Sequence, residues 1–378
     1  MNAFRIFFIG LVLLGSRVFA EDGTCSTQDF NAELGDPYVQ GDTAWCAAHS
    51  AAAVLSQAVH KRVAPGVLAS LAVTATSEEL DQLESPELRS YVTENKLKDK
   101  IIYPDERDQL ISNQVFQFTT EKDADGDLHL QTHGFMDLGG REDLAIIEAD
   151  LNGFCTTDQM PDGDHYLEYL KELQAQYKQN AHAKKSTSCK GNCHHSSKSK
   201  RKDSLDFVRT VIRDWVKTHC QTLQKLETPL APKLLALVDD KGMATQIHFH
   251  RVYKDEAYRQ WSQHILFKEI DGNFDRKRIS AIGYDSCEHG APDLTTGECT
   301  SKTRYGLPGN PHQEHSAIIS ARKMIQGQCR YFIRNHYGKT CNIYKPNFAS
   351  EDVCDINYGG IWVTRDQLKT IYSVFSVK

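Results

Sequence analysis

The sequence has little that would hold it to a nucleic acid or inside a membrane. Its 44 lysines and arginines are outnumbered by 50 aspartates and glutamates, for a formal net charge of -6, so a chain coating nucleic acid through bulk positive charge is excluded. Beyond the first twenty residues no apolar run comes near the roughly 18 residues that a spanning helix needs. There is no nucleophile-elbow serine, no H-E-x-x-H, no phosphate loop and no Rossmann glycine fingerprint, which removes the serine-hydrolase, metallopeptidase and nucleotide-binding readings that those motifs carry. No Asn-x-Ser/Thr acceptor occurs either, and for an exported chain of this size that tilts the origin toward bacteria. What the chain does have is enough to fold: 378 residues, 40% hydrophobic and 25% charged, which at about 150 residues per unit gives two or three domains or lobes.

The first twenty residues open with Arg5, run apolar from Ile6 to Leu14 and end in Val18-Phe19-Ala20. This is the pattern of a signal peptide cleaved after Ala20. Removing Arg5 and Arg17 with it takes the charge from -6 to -8. The expected destination is the secreted or periplasmic space, with no membrane anchor after cleavage. Residue 21 is Glu rather than Cys, so no lipid modification is indicated. Eleven cysteines in an exported chain should pair, and an odd count leaves one thiol over. Cys287–Cys299 and Cys341–Cys354 are reasonable local pairs.

Four segments follow from composition and periodicity: the signal peptide 1–20, a helical unit 21–163, a helical insertion 164–240 and a β-rich unit 241–378. Trp45, Ala48, Ala52, Leu55 and Val59 recur three or four apart, predicting a buried helix that Thr43 or Asp42 can cap. A second helix is expected over Glu142 to Leu151, after Gly139-Gly140. The polar, poorly periodic stretch between them, including Asp123 to Asp127, is expected to supply loops. In the insertion, Tyr166, Leu170, Leu173 and Tyr177 share one helical face, and Lys184 to Lys202 is rich in Lys, Ser and His. The latter reads as a solvated loop clipped by Cys189 and Cys193; zinc binding by these with His194 and His195 would need reduced thiols, and an anion-docking patch stays open. Strands are expected over Thr245 to Tyr253, Ile279 to Gly283, His315 to Arg322 and Arg330 to Asn335. His248 and His250 alternate on one strand face without a third ligand, so no metal site is assigned, and no cofactor.

The chemistry concentrates on Gln40-Gly-Asp-Thr-Ala-Trp-Cys46, where a turn delivers a cysteine to the first turn of a predicted helix. The positive end of the helix dipole and a nearby imidazolium favour thiolate, the attacking species. A cysteine on an apolar helix can equally be a small core residue, but if Cys46 is the free thiol the other ten can form five bridges. A thiolate attacking a carbonyl needs a base, and the base needs an orienting partner. The turn signal Ile325-Gln326-Gly327 joins two strands into a hairpin in which His315 and Asn335 lie equally far from residue 325, hence opposite one another with Cβ atoms about 4.5–5.5 Å apart.

These residues resemble the papain-like cysteine peptidases. Gln40-Gly41 stands six residues before Cys46 as in that family, His315 opens a strand, and Tyr331-Phe-Ile-Arg-Asn335-His-Tyr-Gly338 is similar to the family's asparagine block. Gly139-Gly140 with the following helix looks like the segment whose backbone lines the substrate groove. The resemblance implies an α+β, two-lobed papain-like fold, a Cys46–His315–Asn335 triad and an oxyanion hole made by the Gln40 side chain and the Cys46 backbone N–H. It implies an endopeptidase acting on peptide or protein substrates, expected to be a monomer. Three departures stand out. Thr43 replaces a structural cysteine, Ala47 replaces a tryptophan, and His336-Tyr337 replaces Ser-Trp, so that a smaller aromatic would shield the His–Asn contact beside a competing imidazole. Only Glu21 to Trp45 separate the cleavage point from the nucleophile, so control by a long propeptide is not expected, and the insertion is a candidate lid. His49 is expected to pack on its helix face. A related thiol acyl-transfer enzyme (amidase, transpeptidase or cell-wall peptide hydrolase) and a silent peptide-binding protein remain as alternatives.

Overall fold

A computed structural model describes residues 25–40, 45–75, 77–95, 97, 116–122, 128–134, 141–160, 210, 213–214, 216–220, 222–236, 256–285 and 314–378. The signal peptide, Gly139 and Gly140, the Lys/Ser/His-rich loop, Tyr166 to Tyr177, His248, His250, Asp123 to Asp127 and the Cys287–Cys299 pair lie outside these residues. The architecture is mixed: helices around an antiparallel sheet. Its elements are β1 (Gln28–Asp29), α1 (Asn31–Leu34), α2 (Cys46–Val59), α3 (Pro65–Thr74), α4 (Ser77–Asp81), α5 (Pro86–Glu94), β2 (Phe116–Lys122), β3 (Leu128–Gly134), α6 (Glu142–Asn152), β4 (Pro232–Ala236), α7 (Glu256–Asp275), β5 (Ser280–Asp285), β6 (Glu314–Ile325), β7 (Gln328–Arg334), β8 (Cys354–Asp355), β9 (Gly360–Val363) and β10 (Ser373–Val377).

The main sheet runs β4-β10-β5-β6-β7-β9-β8, with β1 paired to β6, and β2 and β3 form a separate hairpin. Both faces of the sheet are covered. On one, Ala281, Ile318, Phe375 and Val377 meet α2, α3, α5 and α6 through residues such as Leu55, Leu68, Leu88 and Ile147. On the other, Ile282, Ala317, Ile319 and Val374 meet Leu266, Phe267, Ile270 and Phe274 of α7. Neighbouring strand residues thus point to opposite layers. Burial on both sides explains why β5 is buried along its whole length and reads as a continuous apolar run. Each fully buried Leu or Phe in these layers contributes roughly 1.5–3 kcal/mol.

Three sequence expectations need correction. The region expected to be loops between the first two helices contains α3, α4, α5 and the β2–β3 hairpin. Helix α3 is apolar on every side because it is buried all round, so it has no polar face to give a 3.6-residue pattern. The tail of the expected helical insertion is strand β4, paired with β10 from Pro232↔Val377 to Ala236↔Ser373; it opens on a proline, which an edge strand tolerates. The β-rich part also contains the 20-residue helix α7.

Among the described residues there are three disulfides, Cys25–Cys329, Cys155–Cys220 and Cys341–Cys354. The last is the local pair expected from spacing. Among the described residues Cys46 is the free cysteine.

Candidate active site

Helix α2 is rich in alanine, the residue that loses least on entering a helix, and its small side chains let it lie close against the sheet. Its cap position is taken by Trp45, which makes no side-chain cap hydrogen bond, rather than by Thr43 or Asp42. Cys46 is therefore the first helical residue. The N–H groups of Cys46 and Ala47 and the backbone N–H of Ser316 all favour the charged form of the sulfur. Burial acts against them and is larger: it pushes the Cys46 thiol up to about 11, with the Glu142 carboxylate adding to the rise. The helix-end effect expected from the sequence is present but loses to desolvation.

Ser316 belongs to β6, next to His315, and the two side chains leave the strand on opposite faces. His315 turns toward Asn335, with its Nε2 2.7 Å from the Asn335 Oδ1. The ring lies parallel to that of Tyr337 at 5.4 Å between centroids and edge-on to Tyr284 at 5.8 Å. Tyr337 thus occupies the shielding position expected of it. Burial holds His315 down to about 4, against the opposing effect of the Asn335 hydrogen bond, so the imidazole is neutral at pH 7. Burial thus works against the thiolate–imidazolium pair expected from the sequence at both residues.

The contact between His315 and Asn335 arises by a different register from the expected one. The turn is the two-residue Gln326-Gly327, both with positive φ, as a type I′ hairpin requires. Next to it Ile325 pairs with Gln328 and Arg322 with Tyr331, but a bulge at Ser320 intervenes, after which Ile319 pairs with Ile333 and Ile318 with Arg334. Continued, this register places Tyr337 across from His315 and Asn335 one pleat repeat away on the same face, a diagonal within reach of a long polar side chain. Ser320 is fully buried and anchored: its hydroxyl donates to the Asn31 Oδ1 at 2.6 Å, and its carbonyl accepts from the Phe30 N–H at 3.0 Å.

Gln40 is buried, and its backbone N–H donates to the His336 carbonyl at 2.6 Å. Val39 bridges Tyr337, and the Gly338 N–H donates to the Tyr38 carbonyl at 3.1 Å. The segment 38–40 therefore runs along the chain just after Asn335. The Asn335 N–H in turn donates to the Gly359 carbonyl at 3.2 Å. Gly359 has φ +62°, and a Cβ there would collide with the Gly338 carbonyl oxygen, so only glycine fits.

Ser50, Ser316 and Glu142, which the sequence did not single out, complete the surroundings together with His336 and His49. His336 places its Nε2 2.9 Å from the Ser50 Oγ, Ser50 lies 2.7 Å from the Ser316 Oγ, and Ser316 lies 2.5 Å from the Glu142 Oε1. The His336 ring is thus engaged by Ser50, while its backbone N–H donates to the Asn335 Oδ1 at 3.0 Å. His49 is fully buried with its Nδ1 2.9 Å from the Trp45 carbonyl, the packing position expected for it. Glu142 at a helix start and serine on a small-residue helix are commonplace in sequence, so only the spatial arrangement marks them.

No protein-family model and no curated protein matches the sequence. Among solved structures, digestive procathepsin L 3 of Tenebrio molitor larval midgut aligns over 94% of this chain and 71% of that one, at 10% identity and a TM-score of 0.35. The digestive procathepsin L2 proteinase of the same tissue aligns over 94% and 70%, at 11% identity and a TM-score of 0.33. Likenesses this distant carry no functional argument, and the geometry of the site stands by itself. Among the described residues no cluster of metal-ligating side chains occurs, and no helix is long and apolar enough to cross a membrane.

Proposed function

We propose that the chain is an exported cysteine endopeptidase of papain-like type, acting in the secreted or periplasmic space through Cys46, His315 and Asn335. The observation that carries this reading is the buried His315–Asn335 hydrogen bond beside the one free thiol among the described residues, itself approached by the N–H of the residue next to His315. A bond to Asn335 through Nε2 fixes the imidazole so that Nδ1 is the nitrogen available to the thiol.

In the proposed cycle the neutral His315 takes the Cys46 proton as the sulfur attacks the peptide carbonyl carbon. The carbonyl π electrons move to oxygen, where the Cys46 N–H and the Gln40 side chain hold the charge. His315 then gives its proton to the leaving amine as the C–N bond breaks. Water, deprotonated by His315, cleaves the thioester and releases the acid and the thiol. Gly139 and Gly140 are assigned to the groove that receives the substrate backbone. Cys46→Ala should abolish cleavage of a denatured protein substrate by the mature chain, as read by mass spectrometry of the products. Undiminished cleavage would end this reading, and transfer of the acyl group to an added amine instead of to water would replace it by an amidase or transpeptidase.

One observation favours a second reading, a silent peptide-binding protein: both members of the pair rest uncharged, with Cys46 near 11 and His315 near 4. A peptidyl chloromethyl ketone separates the two. A peptidase places the electrophile against Cys46 and is alkylated there much faster by this reagent than by iodoacetamide, whereas a silent protein shows no such preference.

A further inference from the structure

Beside Cys46 and the His315–Asn335 hydrogen bond runs a chain of four hydrogen-bonding side chains from four parts of the fold: Glu142 at the start of α6, Ser316 on β6, Ser50 one turn after Cys46 on α2, and His336 directly after Asn335. Ser50, Ser316 and His336 are buried. Glu142 alone keeps residue surface at solvent, although its carboxyl lies in dense protein.

Each serine has one hydrogen, so the chain can point only one of two ways. With Glu142 ionised, Ser316 donates to its carboxylate, Ser50 donates to Ser316, and the His336 Nε2–H donates to Ser50. With Glu142 protonated, its O–H donates to Ser316, Ser316 to Ser50, and Ser50 to a bare His336 Nε2. The reversal passes the Nε2 hydrogen of His336 through Ser50 and Ser316 to the Glu142 carboxylate, and the one proton gained from solvent goes onto Nδ1, so His336 stays neutral with its N–H moved from Nε2 to Nδ1.

We infer that Glu142 is a positioning residue for Cys46: its protonation sets the direction of this buried chain and the tautomer of His336, and its charge governs how readily the Cys46 thiol reacts. Ser316 ties the two effects together, since its hydroxyl bonds the carboxyl while its backbone N–H faces the sulfur. Burial raises the Glu142 carboxyl above its usual range, opposed by the Ser316 hydrogen bond, and burial keeps His336 neutral. The charged groups facing Glu142 are Arg141 and Asp143, paired with each other at 2.6 Å, and Asp143 also accepts from the Tyr91 hydroxyl at 2.9 Å. Cys46 faces Glu142 from α6 and Tyr284 from β5. His336 faces His49 from α2, His315 from β6 and Arg334 from β7.

For turnover this device rests on Cys46 being the nucleophile, but its effect on the thiol is measurable without turnover. Glu142→Gln keeps an acceptor for Ser316 and removes the charge. With the full folded chain and its disulfides intact, iodoacetamide should alkylate Cys46 about three- to tenfold faster at pH 8 in Glu142→Gln than in the wild type, the thiolate fraction rising tenfold per unit. Equal rates overturn the proposal. Should the variant not fold, ring-nitrogen NMR of the wild type carries the test: His336 should change from Nε2–H to Nδ1–H as pH falls, without ring protonation. A single tautomer from pH 8 to pH 4 overturns it. An alkylation response without peptide cleavage would leave the relay standing and remove the peptidase; Cys46-dependent cleavage without an alkylation response would do the reverse.

Discussion

A histidine works as a base only while it is neutral and aimed, and at position 315 the same burial that secures the first makes folding sensitive to acid. His315 titrates near 4 when folded against about 6.5 in an open chain. Between those values the unfolded chain binds a proton that the folded one does not, so the stability is complete above about pH 6.5 and is lost as pH falls toward 4. Going from pH 7 to pH 4.5, urea denaturation should show His315→Gln losing about 2–3 kcal/mol less than the wild type; equal losses would mean that the imidazole is not held neutral. Glu142 works in the opposite sense, because its raised folded-state pKa lets acid favour the folded state. Gln40→Ala should lower kcat by about 10²–10³ in steady-state peptide hydrolysis if its amide binds the oxyanion, and an unchanged kcat would remove it from that role. At this scale the sequence was informative about Cys46, His315, Asn335 and Tyr337, each of which sits in a spaced motif. It was silent on Ser50, Ser316 and Glu142, whose importance comes from elements that meet only after folding.

The hairpin shows how an element can be misnumbered and still be read to the correct effect. The expected centre missed both the two-residue turn and the Ser320 bulge, leaving an error of two residues in the partner of His315. Two is the side-chain repeat of a strand, so the face survived the error. The bulge itself depends on a buried pair that can be tested. Asn31→Ala leaves the Ser320 hydroxyl buried without its acceptor and should cost about 1–3 kcal/mol in urea denaturation, whereas Asn31→Ala combined with Ser320→Ala should recover most of it. If the double variant is as weak as the sum of the singles, the pair does not hold the bulge. Helices α2 and α6 were legible from spacing and from the glycines before α6. Helix α5 carried a readable start in Ser85-Pro86, with the Ser85 Oγ accepting from the Leu88 N–H at 3.2 Å, and α7 shows Leu266, Phe267, Ile270 and Phe274 at helical intervals. Helix α3 was not legible, because a helix buried all round has no contrast to display.

Across the whole molecule, the covered sheet joins the helical and β-rich parts of the chain, and the Cys25–Cys329 bridge closes a span of 304 residues. It fastens the start of the described chain to the turn end of the hairpin that carries His315 on β6 and is followed, directly after β7, by Asn335. Replacing both cysteines by alanine should lower stability by about 2–4 kcal/mol, read from denaturation midpoints. No change would show that the clasp constrains neither state. The alternation of the two parts was visible in composition, but the bridges were not: pairing across 304 residues depends on topology that spacing cannot give.

The neutrality of Cys46 has a further consequence in an oxidising medium. Exchange with disulfides and attack on peroxide both proceed through the thiolate, and a sulfur that holds its proton offers very little of it. Among the described residues, three bridges and one protonated sulfur can coexist in an oxidising medium, the Cys46 thiol being slow to exchange with glutathione or to be oxidised.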